Sequence, residues 1–284
     1  MSGVRGRRSW LSALIILAGC AGGSMVAADP SDGVTLVGEL AQGGLVIGHA
    51  PGCAVVRLDG RRIAVDDEGR FVFGFGRDAA QDHLFEAVCG ERNVRRRLTV
   101  AKRRFPVERV DGLPERTVTL PPEDLARRRK EIAAIHRARK EHTKLDEVFA
   151  GFQRPAAGRI SGVYGAQRIL NGKPRTPHYG LDIAAPEGTP VVAPAGGIVR
   201  LVGDFLLEGR IIVIDHGMGV TSTLFHLRDI VVREGERVHR GQVIGHVGRT
   251  GRATGPHVDW RINWGDVRID PALALALPPE KAAP

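Results

Sequence analysis

Short apolar runs separated by turn residues dominate the C-terminal half of this chain of 284 residues. Residues 190–199, 210–214 and 219–225 each have the length and apolar content of a β-strand. The segments that connect these runs are far too short to contain the helical crossover that parallel pairing requires. The sequence therefore predicts an antiparallel sheet in this half of the chain.

A second group of short strands is predicted between residues 34 and 110. The apolar runs 53–58 and 71–75 alternate with turn signals such as Asp59-Gly60 and Glu68-Gly69. Strands of this length and spacing favour a small β-sandwich-like domain. No pattern typical of a catalytic site occurs in this segment.

A helical pattern separates the two groups of strands. It begins at Pro121-Pro122-Glu123-Asp124, where proline and acidic residues suit a helix start, and it runs to about Phe149. A helix of that length could reach about 40 Å, so we expect a strut packed along one domain. Its basic runs, residues 127–130 and 137–140, are interpreted as a solvated face.

These patterns predict a mainly β protein with two domains and a connecting helix. The predicted parts are a signal peptide at 1–28, a β-sandwich-like domain at 29–115, a long helical linker at 116–150, an antiparallel sheet domain at 151–275 and a tail at 276–284.

The first residues predict export. Three arginines precede an apolar run at residues 10–18, which is too short to span a membrane but typical of a signal peptide. Residues 17–20 resemble a lipoprotein box, in which Cys20 is lipidated, and residues 26–28 offer an ordinary cleavage site instead. We expect the mature protein in the periplasm or cell envelope, with membrane anchoring by lipid if Cys20 is modified.

Cysteine usage agrees with export. Three cysteines would leave one thiol unpaired in an oxidising compartment. Removal or lipidation of Cys20 leaves Cys53 and Cys89 as a possible pair. We predict a disulfide between these two, with a pair of unpaired buried thiols as the alternative. The closed loop would stabilise the fold by about 3 to 4 kcal/mol.

The formal charge of +9 indicates a preference for polyanionic partners. Cell-wall polymers and anionic lipids are such partners for an exported protein. Nucleic acid is a poor candidate, because the chain is predicted to be exported and only 5% of its residues are aromatic.

Two distant stretches, residues 177–182 and 254–260, concentrate imidazole and carboxylate groups. In a strand, His257 and Asp259 would share one face about 7 Å apart. In an extended segment His178 and Asp182 would also share a face, but about 13 Å apart, so we expect a bend that Gly180 permits. The four side chains could then converge on one metal ion.

The segment from about Phe152 to Pro271 resembles the catalytic domain of the lysostaphin-type (LytM-type) zinc metallopeptidases, which cut peptide cross-links in bacterial cell walls. Five motifs carry the resemblance in the family's order, at residues 178–182, 184–191, 215–217, 226–227 and 251–257. The resemblance implies a β core with a groove that holds the metal.

Carried over by position, the resemblance makes His178 and Asp182 metal ligands and places His226 and His257 beside the reacting water, as groups for proton transfer and for stabilising the oxyanion. The third ligand departs from the family pattern, because the last position of His-x-His is Asp259 here. Aspartate can bind zinc through oxygen, so Asp259 is the predicted third ligand.

Two carboxylates and one imidazole would cancel the charge of a divalent metal. The metal would then acidify water less than it does with two imidazoles and one carboxylate, and a harder metal such as manganese could replace zinc. Two functions follow from the resemblance. One is a metal-dependent endopeptidase acting on peptidoglycan cross-links, and the other is a catalytically degenerate wall-binding or regulatory protein of the same fold.

Other chemistries lack their essential residues. The glycine-rich residues 245–251 are not followed by the Gly-Lys-Ser/Thr of a phosphate loop, and a biotinyl or lipoyl carrier would need a lysine in the turn between 231–238 and 241–245. The nucleophile elbow of a serine hydrolase is missing as well. His216, His239 and His246 lie in strand ends and turns and are interpreted as structural.

Overall fold

A computed structural model describes residues 32–112, 119–140 and 143–279. The predicted signal peptide and Cys20 lie outside these residues. Within them, no helix has both the length and the apolar character needed to cross a membrane. Strands far outnumber helices in the described part of the chain, which confirms the prediction of a mainly β protein.

Eight described strands precede the long helix, and all but the last of them form two small antiparallel sheets. They are β1 (Thr35–Gly38), β2 (Leu45–His49), β3 (Val55–Leu58), β4 (Arg61–Ile63), β5 (Arg70–Gly74), β6 (Asp82–Cys89), β7 (Arg92–Thr99) and β8 (Val107–Val110). The sheets have the orders β1-β2-β5 and β4-β3-β6-β7. Phe71 and Phe85 stack between them with ring centroids 5.7 Å apart. A disulfide joins Cys53, just before β3, to Cys89 at the end of β6.

The long helix, α1 (Pro122–Lys140), begins where the sequence predicts. Its apolar face packs on the C-terminal sheet, where Ile135 and Ala138 meet Ile211, Val213 and Phe225. Its basic residues are not all solvated as interpreted above, because Arg128 forms an ion pair with Glu208 and Arg139 is buried.

The prediction that the helix continues to about Phe149 is wrong. Residues 143–146 are not helical, and Glu147–Ala150 form one 3₁₀ turn. The backbone oxygen of Thr143 accepts from the N–H of Met218, and the N–H of Val148 donates to His216. These bonds to the C-terminal sheet, together with complete burial of Val148, outweigh the local helical pattern.

The remaining elements form the C-terminal half. They are β9 (Arg159–Gly162), β10 (Gln167–Leu170), β11 (Lys173–Pro174), β12 (Leu181–Ala184), β13 (Pro190–Val192), β14 (Gly197–Phe205), β15 (Gly209–Asp215), β16 (Val220–Ile230), β17 (Arg237–Val238), β18 (Val243–Val247), β19 (His257–Trp264), β20 (Val267–Ile269) and α2 (Pro271–Ala274). The main sheet has the order β17-β14-β15-β16-β19-β12-β9, with β18 on β13 and β16 and β20 on β19. Its described pairs are all antiparallel, as predicted.

The two groups of strands pack against each other through one continuous apolar core. A methyl group added at Gly74 of β5 would lie 2.3 Å from Ile269 of β20, which shows how closely the groups approach. Strand β8 crosses to the C-terminal half, where it pairs in parallel with β10. The domain boundaries given above stay a prediction.

Candidate metal centre

Two adjacent strands place the predicted carboxylate ligands side by side. In the antiparallel pair β12–β19, Asp182 lies directly opposite Asp259. Opposite residues of such a pair project their side chains to the same face of the sheet. His178 precedes β12 and completes the cluster, which we call the metal centre and define as His178, Asp182 and Asp259.

The three side chains are within ligand distance of one another. His178 Nε2 lies 3.0 Å from Asp182 Oδ1 and 3.4 Å from Asp259 Oδ2. One nitrogen or oxygen of each residue lies within 4.8 Å of the others, and all three residues are buried. In the described part of the chain, no other group of three or more His, Cys, Asp or Glu side chains is arranged in this way.

The hydrogen bonds of the metal centre leave two ligand atoms for a cation. His178 Nδ1 lies 3.2 Å from the Val163 carbonyl, to which it can donate, so Nε2 then carries a lone pair. Nε2 and Asp182 Oδ1 are both buried, and although they lie 3.0 Å apart, neither forms a hydrogen bond of acceptable geometry with the described residues. Two buried, unsatisfied ligand atoms that face each other fit a divalent metal bound through nitrogen and oxygen.

The pKa shifts of His178 and Asp259 also favour a cation at the metal centre. Burial disfavours charge on His178, but the carboxylates of Asp259 and Asp182 outweigh burial and raise its pKa to about 9. Burial also opposes ionisation of Asp259, yet Arg261 and His178 hold the pKa of this carboxyl well below its usual range. The site therefore attracts a cation, and a metal would compete with a proton on His178.

His226 and His257 lie next to each other, with ring centroids 4.7 Å apart, and they line one groove together with Asp182 of the metal centre. Nδ1 of His226 lies 2.8 Å from the Thr250 carbonyl, and Nδ1 of His257 lies 2.9 Å from that of Gly255. If each Nδ1 donates, each Nε2 carries a lone pair. A second groove, which also includes His226, is lined by His178 and Asp259, so two adjoining grooves hold all the predicted metal-site and catalytic side chains.

His226 is held in an uncommon state. Its φ of 64° lies in the left-handed region, which is costly for a residue other than glycine and is often retained at functional sites. Burial lowers the pKa of His226 to about 4, even though Asp259 opposes the shift. The ring is therefore neutral at physiological pH.

The chain bends at Gly180, as the spacing of His178 and Asp182 predicts. The reason for glycine is space rather than a left-handed backbone, because Gly180 is not among the residues with positive φ. A Cβ built at Gly180 would lie 2.1 Å from Asp259 Oδ1. Gly180 thus allows the backbone to pass directly beside a ligand carboxylate.

Two arginines that sequence reasoning missed contact the ligand carboxylates. Arg261 contacts both oxygens of Asp259, with Nη2 2.7 Å from Oδ2 and Nε 3.1 Å from Oδ1. Arg168 of β10 lies 2.9 Å from Asp182 Oδ2. The two-residue spacing of Asp259 and Arg261 on one strand could have revealed the first contact. No local signal predicts the second.

The histidines interpreted as structural lie away from this groove. His216 is buried, with Nδ1 2.6 Å from the Gly196 carbonyl, and burial lowers its pKa. His246 pairs with Asp229, and His239 is exposed.

A larger groove of about 750 Å³ extends from the metal centre along α1. Its wall includes six arginines, namely Arg128, Arg168, Arg175, Arg252, Arg261 and Arg268. Arg128 of α1 bridges the groove to Glu208 with two bonds of 2.6 and 2.8 Å. The groove beside the metal centre is therefore strongly cationic.

Comparison with known proteins agrees with this geometry. The pattern of Peptidase family M23 matches residues 176–271, which include the metal centre and both histidines. A crystal structure assigned to the M23 peptidases, from Pseudomonas aeruginosa, superposes with a TM-score of 0.65 at 30% identity, covering 84% of this chain and 95% of that one.

Two curated relatives are similar over shorter stretches. The peptidoglycan DD-endopeptidase ShyA of Vibrio cholerae serotype O1 is 31% identical over 194 residues, 66% of this chain and 41% of that protein. The DD-carboxypeptidase/endopeptidase Mpg of Neisseria meningitidis serogroup B is 41% identical over 101 residues, 36% of this chain and 23% of that protein. The chain thus spans less than half the length of either relative. The resemblance predicted from the sequence motifs is confirmed.

Proposed function

We propose, from the premise that this chain belongs to peptidase family M23, that it is a zinc-dependent endopeptidase which hydrolyses peptide cross-links of bacterial peptidoglycan. The observation that carries the proposal is the convergence of His178, Asp182 and Asp259 beside His226 and His257. The name of ShyA, a peptidoglycan DD-endopeptidase, supports the choice of substrate, and the name of Mpg, a DD-carboxypeptidase/endopeptidase, supports peptide hydrolysis.

The three residues of the metal centre would hold the zinc. The metal supplies Lewis acidity, which acidifies water and polarises the scissile carbonyl. The chain's own residues bring the other requirements of amide hydrolysis, namely orientation of the water and transfer of its proton to the leaving amine.

We assign these two tasks to the paired histidines. With a pKa of about 4, His226 is a weak base. Its neutral Nε2 is therefore suited to accept a hydrogen bond and orient the attacking water. His257 is half-buried and adjacent, and its Nε2 takes the proton as the water oxygen bonds to the carbonyl carbon. The same nitrogen then passes the proton to the amide nitrogen as the carbon–nitrogen bond breaks.

The positive charge of the groove favours binding of a substrate that has free carboxylate groups. Arg175 and Arg268 line it, and neither is paired with an acidic side chain in a described ion pair. Carboxylate groups of a wall peptide would meet these guanidinium groups at short range. The overall charge of +9 would add long-range attraction to an anionic wall.

The test is mass spectrometry of soluble products released from purified sacculi by the purified chain. We expect cleaved cross-links that disappear with a chelator and return when zinc is added. The His257→Ala variant should release almost none, and His239→Ala, at an exposed histidine outside the groove, should act like the parent chain. Sacculi that stay intact with zinc and with manganese would rule out the endopeptidase.

A second candidate is a wall-binding or regulatory protein without catalysis. The observation that favours it is the ion pair of Asp259 with Arg261, which already satisfies part of a ligand carboxylate. Such a protein would bind sacculi without releasing fragments, and His257→Ala would leave binding unchanged. Co-sedimentation with sacculi, measured beside product release, separates the two functions.

We also propose that the protein is exported and anchored by lipid at Cys20. The disulfide between Cys53 and Cys89 supports an oxidising compartment. The mass of the mature N-terminal peptide is the test. A diacylglyceryl group on Cys20 would support anchoring, and a mature chain that begins after Ala28 would contradict it.

A further inference from the structure

The pair formed by Asp259 and Arg261 is built more firmly than an ordinary surface ion pair. Nε and Nη2 of Arg261 approach both carboxylate oxygens at 2.7 to 3.1 Å. The Arg261 guanidinium also lies over the ring of Phe225, with its carbon 4.5 Å from the ring centroid. The Asp259 side chain is only 3% exposed and that of Arg261 is 21% exposed, so solvent screens the pair weakly.

The charge of this pair matters for the metal. The resemblance described above places a neutral histidine at the position of Asp259, so an M23 centre of that type carries one negative charge on its ligands. The metal centre here carries two, from Asp182 and Asp259. The single positive charge of Arg261 restores the total to one.

Arg168 does not duplicate this effect. Besides Asp182, it approaches Glu108, whose Oε2 lies 3.5 Å from Arg168 Nε. The carboxylate of Glu108 balances the charge of Arg168, so the net contribution of these two residues is close to zero. Arg261 differs from Arg168, because its described ion pair is with the ligand carboxylate of Asp259 and with no second acidic residue.

We propose that Asp259 and Arg261 act together as a charge-neutral replacement for the missing histidine ligand. Asp259 supplies the oxygen that binds the metal, and Arg261 is a positioning residue that cancels the added negative charge and holds the carboxylate in place. The inference rests on the proposed metal centre. It removes the reason to expect weak acidification of water, because the three ligands and Arg261 together carry the same charge as two imidazoles and one carboxylate.

The test is a cycle of zinc affinities, measured on the full chain by competition with a chromogenic chelator. Removing one unit of charge this close to a divalent ion should change its affinity by at least about tenfold. We expect Arg261→Gln to bind zinc more tightly by that factor and Asp259→His to bind it more weakly by that factor. The double variant should return to within about threefold of the parent chain.

Two further variants test whether the effect comes from the charge at position 261. Arg261→Lys keeps the charge without the two-pronged contact, so it should retain the zinc affinity of the parent chain. Arg228→Gln is the matched control, because Arg228 forms an exposed ion pair with Asp229 outside the metal centre, and it should change nothing. Thermal unfolding of each variant with chelator present shows that the affinities refer to folded protein.

The outcomes separate the possibilities. If Arg261→Gln weakens zinc binding, Arg261 only holds Asp259 in place and the charge-neutral replacement is wrong. If Asp259→His binds zinc as tightly as the double variant does, the charge of Arg261 has no effect on the metal, which also overturns the proposal. Failure of the parent chain to bind zinc would overturn both this inference and the metal dependence. Tight zinc binding by a chain that leaves sacculi intact would remove only the proposed function.

Discussion

The N-terminal strands and the C-terminal sheet satisfy their buried groups in different ways. In the described part of the chain, two buried side-chain atoms without a hydrogen-bond partner, His178 Nε2 and Asp182 Oδ1, belong to the metal centre. The N-terminal strands instead bury a cluster of phenylalanine rings. An unsatisfied buried polar atom costs stability, so it persists where it has another use. We infer that the first region mainly stabilises the fold, whereas the metal centre of the second region keeps two buried atoms for a ligand.

The largest effect should come from the groove that contains His257. His257→Ala removes the group to which we assign proton transfer, so the rate of sacculus cleavage should fall by about 10²- to 10⁴-fold. The free energy of unfolding should change by less than about 1 kcal/mol, because the ring is only half-buried. Equal losses of rate in His257→Ala and in the exposed control His239→Ala would contradict the assigned role.

A substitution in the core of the N-terminal region should reduce stability and leave zinc binding unchanged. Phe73 is fully buried and lies within 6.2 Å of the ring centroids of Phe71, Phe75 and Phe85. Phe73→Ala should reduce the free energy of unfolding by about 3 to 5 kcal/mol in urea denaturation, because it leaves a cavity. Zinc affinity of the folded fraction should stay unchanged.

The control for this prediction is Val231→Ala, at a side chain that is 55% exposed, and it should change stability by less than about 0.5 kcal/mol. A loss of zinc affinity in Phe73→Ala would show that the continuous core couples the two regions. The division between a stabilising and a chemical region would then fail.

The approach of Gly180 to Asp259 offers a smaller test inside the chemical region. Gly180→Ala would place a methyl group 2.1 Å from Asp259 Oδ1, so the carboxylate must move. We expect zinc affinity to fall by about tenfold, which is about 1.4 kcal/mol. Gly76→Ala is the matched control in the N-terminal region, since its methyl group would find its nearest neighbour at 3.8 Å. Similar affinities in both variants would mean that the ligand carboxylate is not confined.

The sequence predicts local features of the fold better than contacts between distant residues. Strands and antiparallel pairing follow from short apolar runs and short connections, which are local properties. The end of α1 does not follow from local properties, because Val148 leaves the helical pattern to enter the core. Pairing of β8 with β10 is a contact between distant residues and leaves no local trace.

The metal centre shows the same limit at the level of side chains. His178, Asp182, Asp259, His226 and His257 were found because their spacing matches motifs of a known family. Arg168 was missed because β10 brings it to Asp182 only in the folded chain. Gly180 was selected for the right position and the wrong reason, since steric room beside Asp259 depends on the packing of β12 against β19.

A further predicted effect concerns the pH dependence of stability. Burial lowers the pKa of His226 from 6.5 to about 4. As the pH falls below 6.5, the unfolded chain takes up this proton before the folded chain does, so His226 destabilises the fold progressively until the pH reaches about 4. Above pH 6.5 both states are neutral at this residue, and it contributes no pH dependence.

The variant His226→Asn removes this titration, and asparagine tolerates the left-handed backbone at this position. With chelator present, we expect the parent chain to lose up to about 1.4 kcal/mol of stability per pH unit relative to the variant between pH 6.5 and 4. Urea denaturation at several pH values measures the difference, and His239→Asn is the exposed control. Parallel stability curves for parent and variant would show that His226 is not held neutral by burial. The metal-binding region would then lack the strained, uncharged imidazole that distinguishes it from the N-terminal strands.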